Sequence, residues 1–249
     1  MLESDPDLPI LYHDDRFVAI HKPSGLLVHR SSIDRRETRF AIQLLRDQIG
    51  QKVYPVHRID RPTSGILIFG LDEEACVALS QAFQERKVEK SYLAVTRGYT
   101  PEKGVIDSPL RKFRDVDGMV KSDETQEAST RYTRLATAEL PYPTDRYATT
   151  RLSLVALHPE TGRRHQLRRH LAHLRYPIIG DTRHGCNKTN TIAREHIGIH
   201  RLLLAATELS FLHPFSQQAI HISCPLEGSF QSALDRIQFS PTAVFQSPE

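Results

Sequence analysis

The sequence holds one carboxylate in a setting suited to chemistry: Asp60, in the run His57-Arg58-Ile59-Asp60-Arg61-Pro62-Thr63-Ser64-Gly65. The neighbouring guanidinium groups of Arg58 and Arg61 favour the charged carboxylate. An ionised and firmly held carboxylate suits nucleophilic attack or electrostatic stabilisation better than general-acid work. Pro62 restricts one torsion, and the hydroxyls of Thr63 and Ser64 can bond backbone amides, so the turn would hold Asp60 in place. The same residues also describe an Asx-turn with surface ion pairs, since structural pairs perturb aspartates too. Taken alone, they favour that plainer reading.

A second segment carries concentrated positive charge. From Arg163 to Arg175 there are five arginines and three histidines and no acidic residue. Arginines without interleaved glutamate forgo the pairing that supports ordinary exposed helices, and a patch of this kind fits a polyanion such as nucleic acid. The spacing predicts a helix from about Arg163 to Leu174, with Leu167, Leu171 and Leu174 on its docking face. Arg164, Arg168 and Arg175 would line one flank, and His165, Arg169 and His173 the other. The histidines show no metal-binding pattern: no His-Glu-x-x-His occurs, no cysteine joins them, and His196 and His200 lack an acidic third ligand. No metal site is expected, and solvated or phosphate-facing histidines are the default.

The elements that must position these residues are those of an ordinary globular chain. It has 249 residues, 39% hydrophobic and 25% charged, with a net charge of +3 that is too small to decide anything alone. Cys76, Cys186 and Cys224 are odd in number and scattered, which argues for reduced thiols in a cytosolic protein. The acidic N-terminus has no apolar core of the signal-peptide kind, and no apolar run approaches a bilayer span, so a cytoplasmic protein without a membrane partner is expected.

Residues 10 to 20 read as two short strands around a turn at Asp14-Asp15, followed by a Lys22-Pro23-Ser24-Gly25 turn. A helix is expected over 38 to 49, ending at Gly50. A strand from Val53 to Ile59 would lead into Asp60, and a buried one would span Ile66 to Gly70. Asp72 should cap a helix over 72 to 87. Strands are expected at 91–96, 149–157, 202–212 and 218–223, with a last helix near 228 to 237. Residues 111 to 130 read as a long loop or an exposed hairpin that is a candidate RNA-contacting insertion. The pattern favours a mixed-sheet α+β fold in one domain with its core at about 10–237 and a loose tail over 238–249.

Taken together, the motifs resemble those of the RluA-type pseudouridine synthases. The run from His57 to Gly65 is similar to the family's His-Arg-Leu-Asp-x-x-Thr-Ser-Gly signature. Lys90-Ser91-Tyr92-Leu93-Ala94 resembles its Lys-x-Tyr-x-Ala segment, and Thr161-Gly162-Arg163-x-His165-Gln166-Leu167-Arg168-x-His170 its third motif. Gly180-Asp181, the Arg201-Leu202-Leu203-Leu204 stretch and His213-Pro214 fit as well, so the match runs from about Ile10 to Leu226. Ile59 stands where leucine is usual, a volume-conserving change, and Ala205 where many relatives have histidine. Many relatives also carry an N-terminal RNA-binding module; here the catalytic domain itself is expected to bind RNA.

The resemblance implies a mostly antiparallel sheet with flanking helices around a central cleft, and isomerisation of uridine to its carbon-linked form without metal or cofactor. Within the family the likeness is to the branch that modifies position 65 of tRNA, with ribosomal RNA as the alternative substrate. Asp60 would be the nucleophile or the base that assists bond cleavage. Tyr92 would stack on the flipped uracil or exchange a proton nearby, and Arg168 would pair with Asp60. Arg58 would fill the space vacated by the base or grip a phosphate, with further RNA contacts from Lys22, Arg163, Arg164, His165 and Arg169. No obligate protein partner is implied, and a monomer is expected.

Three other readings fit less well. A non-catalytic RNA-binding protein on the same fold would not require Asp60, Tyr92 and Arg168 together. A glycosidase usually needs a second carboxylate, and neither main motif holds one beside Asp60. A zinc deaminase would need the His-x-Glu and Cys-x-x-Cys ligands that are missing here.

Overall fold

A computed structural model describes residues 7–29, 38–113, 121–144 and 147–239. In chain order the elements are β1 (Ile10–His13), β2 (Phe17–Lys22), α1 (Ala41–Ile49), β3 (Tyr54–Pro55), β4 (Ser64–Gly70), α2 (Glu73–Gln84), β5 (Glu89–Arg97) and β6 (Lys103–Asp107). They continue with β7 (Leu110–Phe113), β8 (Lys121–Gln126), β9 (Ser129–Leu140), β10 (Thr150–Pro159), α3 (Gln166–His173), α4 (Asn187–Ile197), β11 (Leu204–Leu212), β12 (Ala219–Ser223) and α5 (Gly228–Ile237). The chain forms two compact units, each assembled from three segments. The first takes residues 1–90, 113–122 and 206–225, and the second takes 91–112, 123–205 and 226–249.

The first unit is organised around β4. This strand pairs antiparallel with β2, from Phe17 opposite Gly70 to Lys22 opposite Gly65, and β2 pairs in turn with β1. Asp14 closes the turn between β1 and β2 by accepting the amides of Arg16 and Phe17 at 2.8 Å each. Every residue of β4 is buried, as its unbroken apolar run requires. Ile66 and Ile68 pack with Leu79 of α2, while Leu67 and Phe69 pack with Ala41 and Leu45 of α1. Each buried Leu, Ile or Phe among them contributes about 1.5–3 kcal/mol. The helices end as their sequences dictate. Asp72 accepts the Ala75 amide at 2.7 Å to cap α2, and Gly50 closes α1 at φ +67.

The second unit lays β5, β10, β9 and β6 side by side, each neighbouring pair antiparallel. One face of these strands, through Ala94, Val155 and Leu157, packs on Leu167 and Leu171 of α3. The other, through Leu93, Val95, Leu152 and Leu154, packs on α4 and α5 by way of Ala193, Ile197, Phe230 and Leu234. The α+β class and the dominance of antiparallel pairing thus agree with expectation.

Several local expectations change. The strand foreseen over 53–59 shrinks to Tyr54–Pro55, because Pro55 has no N–H to give and His57 turns its ring onto the β4 backbone instead. The helix foreseen from Arg163 starts only at Gln166. Phe239 is buried in the second unit's core, so the packed chain runs past 237. The 111–130 segment holds the paired strands β7 and β8, the hairpin alternative; its residues 114–120, and the tail from 240 on, lie outside the described residues. Among the described residues no helix is long and apolar enough to cross a membrane.

Candidate active site

Asp60 sits, half-buried, in a loop of the first unit that leads into β4. Its carbonyl accepts the Thr63 amide at 2.9 Å, making the turn foreseen, and Thr63 and Ser64 behind it are buried. The Lys22-Pro23-Ser24-Gly25 turn holds this loop from the side. The Gly25 amide donates to the Arg61 carbonyl at 2.8 Å. Ser24 Oγ donates to the Pro62 carbonyl at 2.8 Å, and Arg61 Nε returns a bond to the Gly25 carbonyl at 3.0 Å.

Lys22, expected to reach a phosphate, is instead fully buried. Its ammonium donates to the carbonyls of Pro23, Leu26 and Arg61 at 2.8, 2.9 and 3.2 Å. A charge buried this deeply is tolerated only with its donors met, and here it ties the two turns together. Gly65, one residue into β4, has φ +114, and a Cβ there would stand 2.0 Å from the Ala206 carbonyl oxygen. Only glycine fits, so the loop leaves the strand at a defined angle.

His57 is a structural member of this loop. Its Nε2 accepts the Ile68 amide at 3.1 Å, and its ring stacks on Phe83 at 4.5 Å. Although the side chain keeps some exposure, desolvation, helped by the charge of Lys90, pushes its pKa down to about 3. The ring is therefore neutral at physiological pH. Burial likewise lowers Lys90, to about 8, with Arg86 adding to the effect. Arg58 and Arg61 are exposed.

In the second unit, Tyr92 of β5 lies opposite Leu157 and packs against the cluster that includes Leu167 and Leu171. This sets Tyr92 on the face of the strands that α3 covers, the helix that carries Arg168. A buried polar network fixes the start of that helix. Gln166 Oε1 accepts from Thr161 Oγ1 at 2.6 Å and from the Arg163 amide at 3.0 Å. Its Nε2 donates to the Ser129 carbonyl and to Thr130 Oγ1 at 2.9 and 3.0 Å. His170, fully buried rather than solvated, bridges Thr130 Oγ1 and the Ser108 carbonyl at 3.0 Å each. The carbonyl can only accept, so Nε2 carries the proton and Nδ1 accepts from the threonine.

Arg168, expected on a flank of the helix, is buried, 5% exposed, and gripped side-on by Asp181, which is 1% exposed. Nε donates to Oδ2 at 2.7 Å and Nη2 to Oδ1 at 2.8 Å. Burial raises the Asp181 carboxyl, but the bonds and charge of Arg168, with the amides of His184 and Arg183, outweigh it and hold the pKa at about 2. Sequence reasoning noted Gly180-Asp181 yet gave Asp181 no role. The sequence offered only the Gly-Asp pair; that Gly180 cannot be replaced shows in the structure, where it has φ +79 and a Cβ would meet the Arg201 carbonyl oxygen at 1.8 Å.

The remaining basic residues are less alike than a helical stripe suggests. Arg163, Arg164 and His165 precede the helix, and His165 itself adopts a left-handed conformation at φ 54. Its Nδ1 lies 2.9 Å from His184 Nε2, so it faces another ring rather than open solvent. Arg163 Nε donates to the Glu127 carbonyl at 3.0 Å. Arg169 is half-buried, and desolvation lowers its pKa. Arg175 lies beyond the helix with φ 66.

The model of the RNA pseudouridylate synthase family matches residues 16–173. The chain is 50% identical over 241 residues to tRNA pseudouridine synthase C of Haemophilus ducreyi (strain 35000HP / ATCC 700724), covering 96% of this chain and 99% of that one. It is 48% identical to the protein of the same name from Vibrio cholerae serotype O1 (strain ATCC 39315 / El Tor Inaba N16961) over 243 residues, 96% of this chain and 100% of that one. Among solved structures, human RNA pseudouridylate synthase domain containing 4 is similar with a TM-score of 0.69 and 28% identity, over 92% of this chain and 93% of that one.

Proposed function

The chain belongs to the RNA pseudouridylate synthase family, and from that premise we propose that it isomerises uridine to pseudouridine in tRNA, at position 65, with Asp60 as its essential carboxylate. The relatives matched over nearly their whole length are named as tRNA enzymes, which supports tRNA over ribosomal RNA. The observation that carries the assignment of Asp60 is its loop, fixed from behind by Lys22, Ser24 and Gly25. A carboxylate so held does not have to be ordered when substrate arrives.

In this reading the bond from ribose C1′ to uracil N1 breaks, the uracil rotates, a bond forms from its C5 to the same C1′, and the C5 proton is lost as N1 gains one. Asp60 acts as nucleophile or as the base assisting cleavage. Tyr92 stacks on the extruded uracil or exchanges a proton with it. Arg168 pairs with Asp60 and aims it. The target must leave its stack, at a cost of a few kcal/mol, and exposed Arg58 fills the vacated space or grips the phosphate. Arg163, Arg164, His165 and Arg169 supply further RNA contacts; Lys22, being buried, does not. The protein acts in the cytoplasm as a monomer, without cofactor or metal.

The test is to map pseudouridine in RNA from a strain lacking the gene and to complement it with wild type or Asp60→Asn. Loss at one tRNA site, restored by wild type and not by a folded, tRNA-binding Asp60→Asn, is the expected result. Loss confined to ribosomal RNA overturns the substrate, and no loss anywhere overturns the enzyme.

A further inference from the structure

Asp181 grips Arg168 through two nearly parallel bonds that use Nε and Nη2, a geometry that fixes the plane of the guanidinium and not merely its charge. Asp181 is itself immobilised. Its Oδ1 also accepts the amides of Arg183 and His184 at 2.9 Å each. The side chain of Asn190, on α4, brackets it: Nδ2 donates to the Asp181 carbonyl and Oδ1 accepts the Gly180 amide, both at 2.9 Å. Gly185 lets the chain fold back on that carbonyl, because a Cβ there would stand 1.9 Å from it. The His184 ring then meets His165, the residue from which α3 departs. The chain from 180 to 190 thus forms a rigid seat for one side chain.

Stability alone is a poor explanation for such a seat. A buried ion pair recovers in attraction little more than its desolvation costs, and apolar side chains of the same volume commonly do as well or better. We propose that Asp181 is the positioning residue for Arg168: it aims the guanidinium for the isomerisation and takes no part in binding the RNA. The inference rests on Arg168 having the role proposed for it, and it adds a residue that acts only through Arg168.

The experiment compares Arg168→Ala, Asp181→Asn, Asp181→Glu and the double variant Arg168→Ala/Asp181→Asn, on a tRNA transcript, measuring kcat and KM separately with a thermal melt for each protein. Asp181→Asn is expected to lower kcat on the order of 100-fold, leaving KM within a few-fold of wild type. Asp181→Glu keeps the charge but displaces it by one methylene, and is expected to lower kcat while melting close to wild type. The double variant should be no slower than Arg168→Ala alone, because a residue that acts through Arg168 has nothing left to position.

If Arg168→Ala keeps full kcat, the role of Arg168 itself is wrong. If Arg168→Ala is slow while either folded Asp181 variant keeps wild-type kcat, the role of Arg168 stands and the positioning inference falls. A rise in KM without a fall in kcat overturns it too, as does a double variant much slower than Arg168→Ala. Failure of both Asp181 variants to fold would make the pair a core element and overturn the assignment.

Discussion

Asp60 and Arg168 are held by opposite means. The Asp60 loop is held mainly through main-chain carbonyls: Lys22, Ser24, Gly25 and Arg61 all bond to backbone oxygens of the facing turn. The start of α3 is held side chain to side chain, through Thr161, Gln166, Thr130, His170 and Asp181. A loop secured by its backbone can vary its surface residues freely but depends on a few positions where geometry admits one residue type. A seat built from side chains spreads the work over many polar residues, each of which must find its partner. The difference teaches where each region is vulnerable.

The largest effect should come from Gly65. At φ +114, with a Cβ 2.0 Å from the backbone oxygen of Ala206, Gly65→Ala has neither the torsion nor the room, and nothing flexible can yield. Destabilisation of about 4 kcal/mol or more is expected, read as a denaturant midpoint far below wild type. A shift under about 1 kcal/mol would mean the loop is softer than its bonding indicates.

Next comes a direct contrast between the two regions. Lys22→Met preserves the stem's volume but removes the ammonium donor from the carbonyls of Pro23, Leu26 and Arg61, of which that of Arg61 keeps the Gly25 amide, and about 3 kcal/mol should be lost. Gln166→Leu breaks the network at α3 and should cost about 2 kcal/mol, since Thr130 and Thr161 retain other partners in His170 and the Ser129 amide. Chemical denaturation of both variants checks the order. The reverse order would show that the α3 seat, not the Asp60 loop, is the more critical scaffold.

What was legible in the sequence follows the same line. Asp60 and its turn, the buried β4 run and the Asp72 cap announce themselves locally, through periodicity and through residues with one conformational use. The start of α3 did not, because three basic residues without acidic partners look helical by composition, while His165 takes a left-handed conformation and turns toward His184, a residue 19 positions away. Lys22 read as a phosphate ligand because burial of a lysine depends on carbonyls supplied by residues up to 39 positions away. Strand β9 was missed because the residues on its inward side, such as Thr130 and Arg134, are themselves polar, so no apolar alternation shows, and its register is imposed by β10. Helix α4 was missed for a similar reason: of its residues, Thr189, Asn190, Ala193 and Ile197 are buried, so half of its inward face is polar. Asp181 is the functional counterpart of these cases, since its role exists only once Arg168 is beside it.

The smallest expected effect is on pH dependence, and it too separates the two regions. His57 in the Asp60 loop is held neutral, with a pKa of about 3 against an ordinary 6.5. His184 beside Asp181 is lowered to about 4, by desolvation above all. In both cases the unfolded chain takes up a proton below pH 6.5 that the folded chain refuses, so stability is full above that pH and falls as the pH drops. Each group can contribute a slope of at most about 1.4 kcal/mol per pH unit. Asp181, depressed from 3.8 to about 2, has the same sign but a later window: its contribution is present above 3.8 and is lost toward pH 2. Between pH 6.5 and about 5, above the window of the depressed carboxylates, the decline therefore belongs to histidines. His57→Gln, with an amide oxygen able to accept from Ile68, should flatten part of it. Urea unfolding of wild type and variant at pH 7.5, 6 and 5 measures the difference. Parallel stability curves for the two proteins would mean that the His57 ring does gain its proton in the folded state, and that the Asp60 loop tolerates a charge at its base.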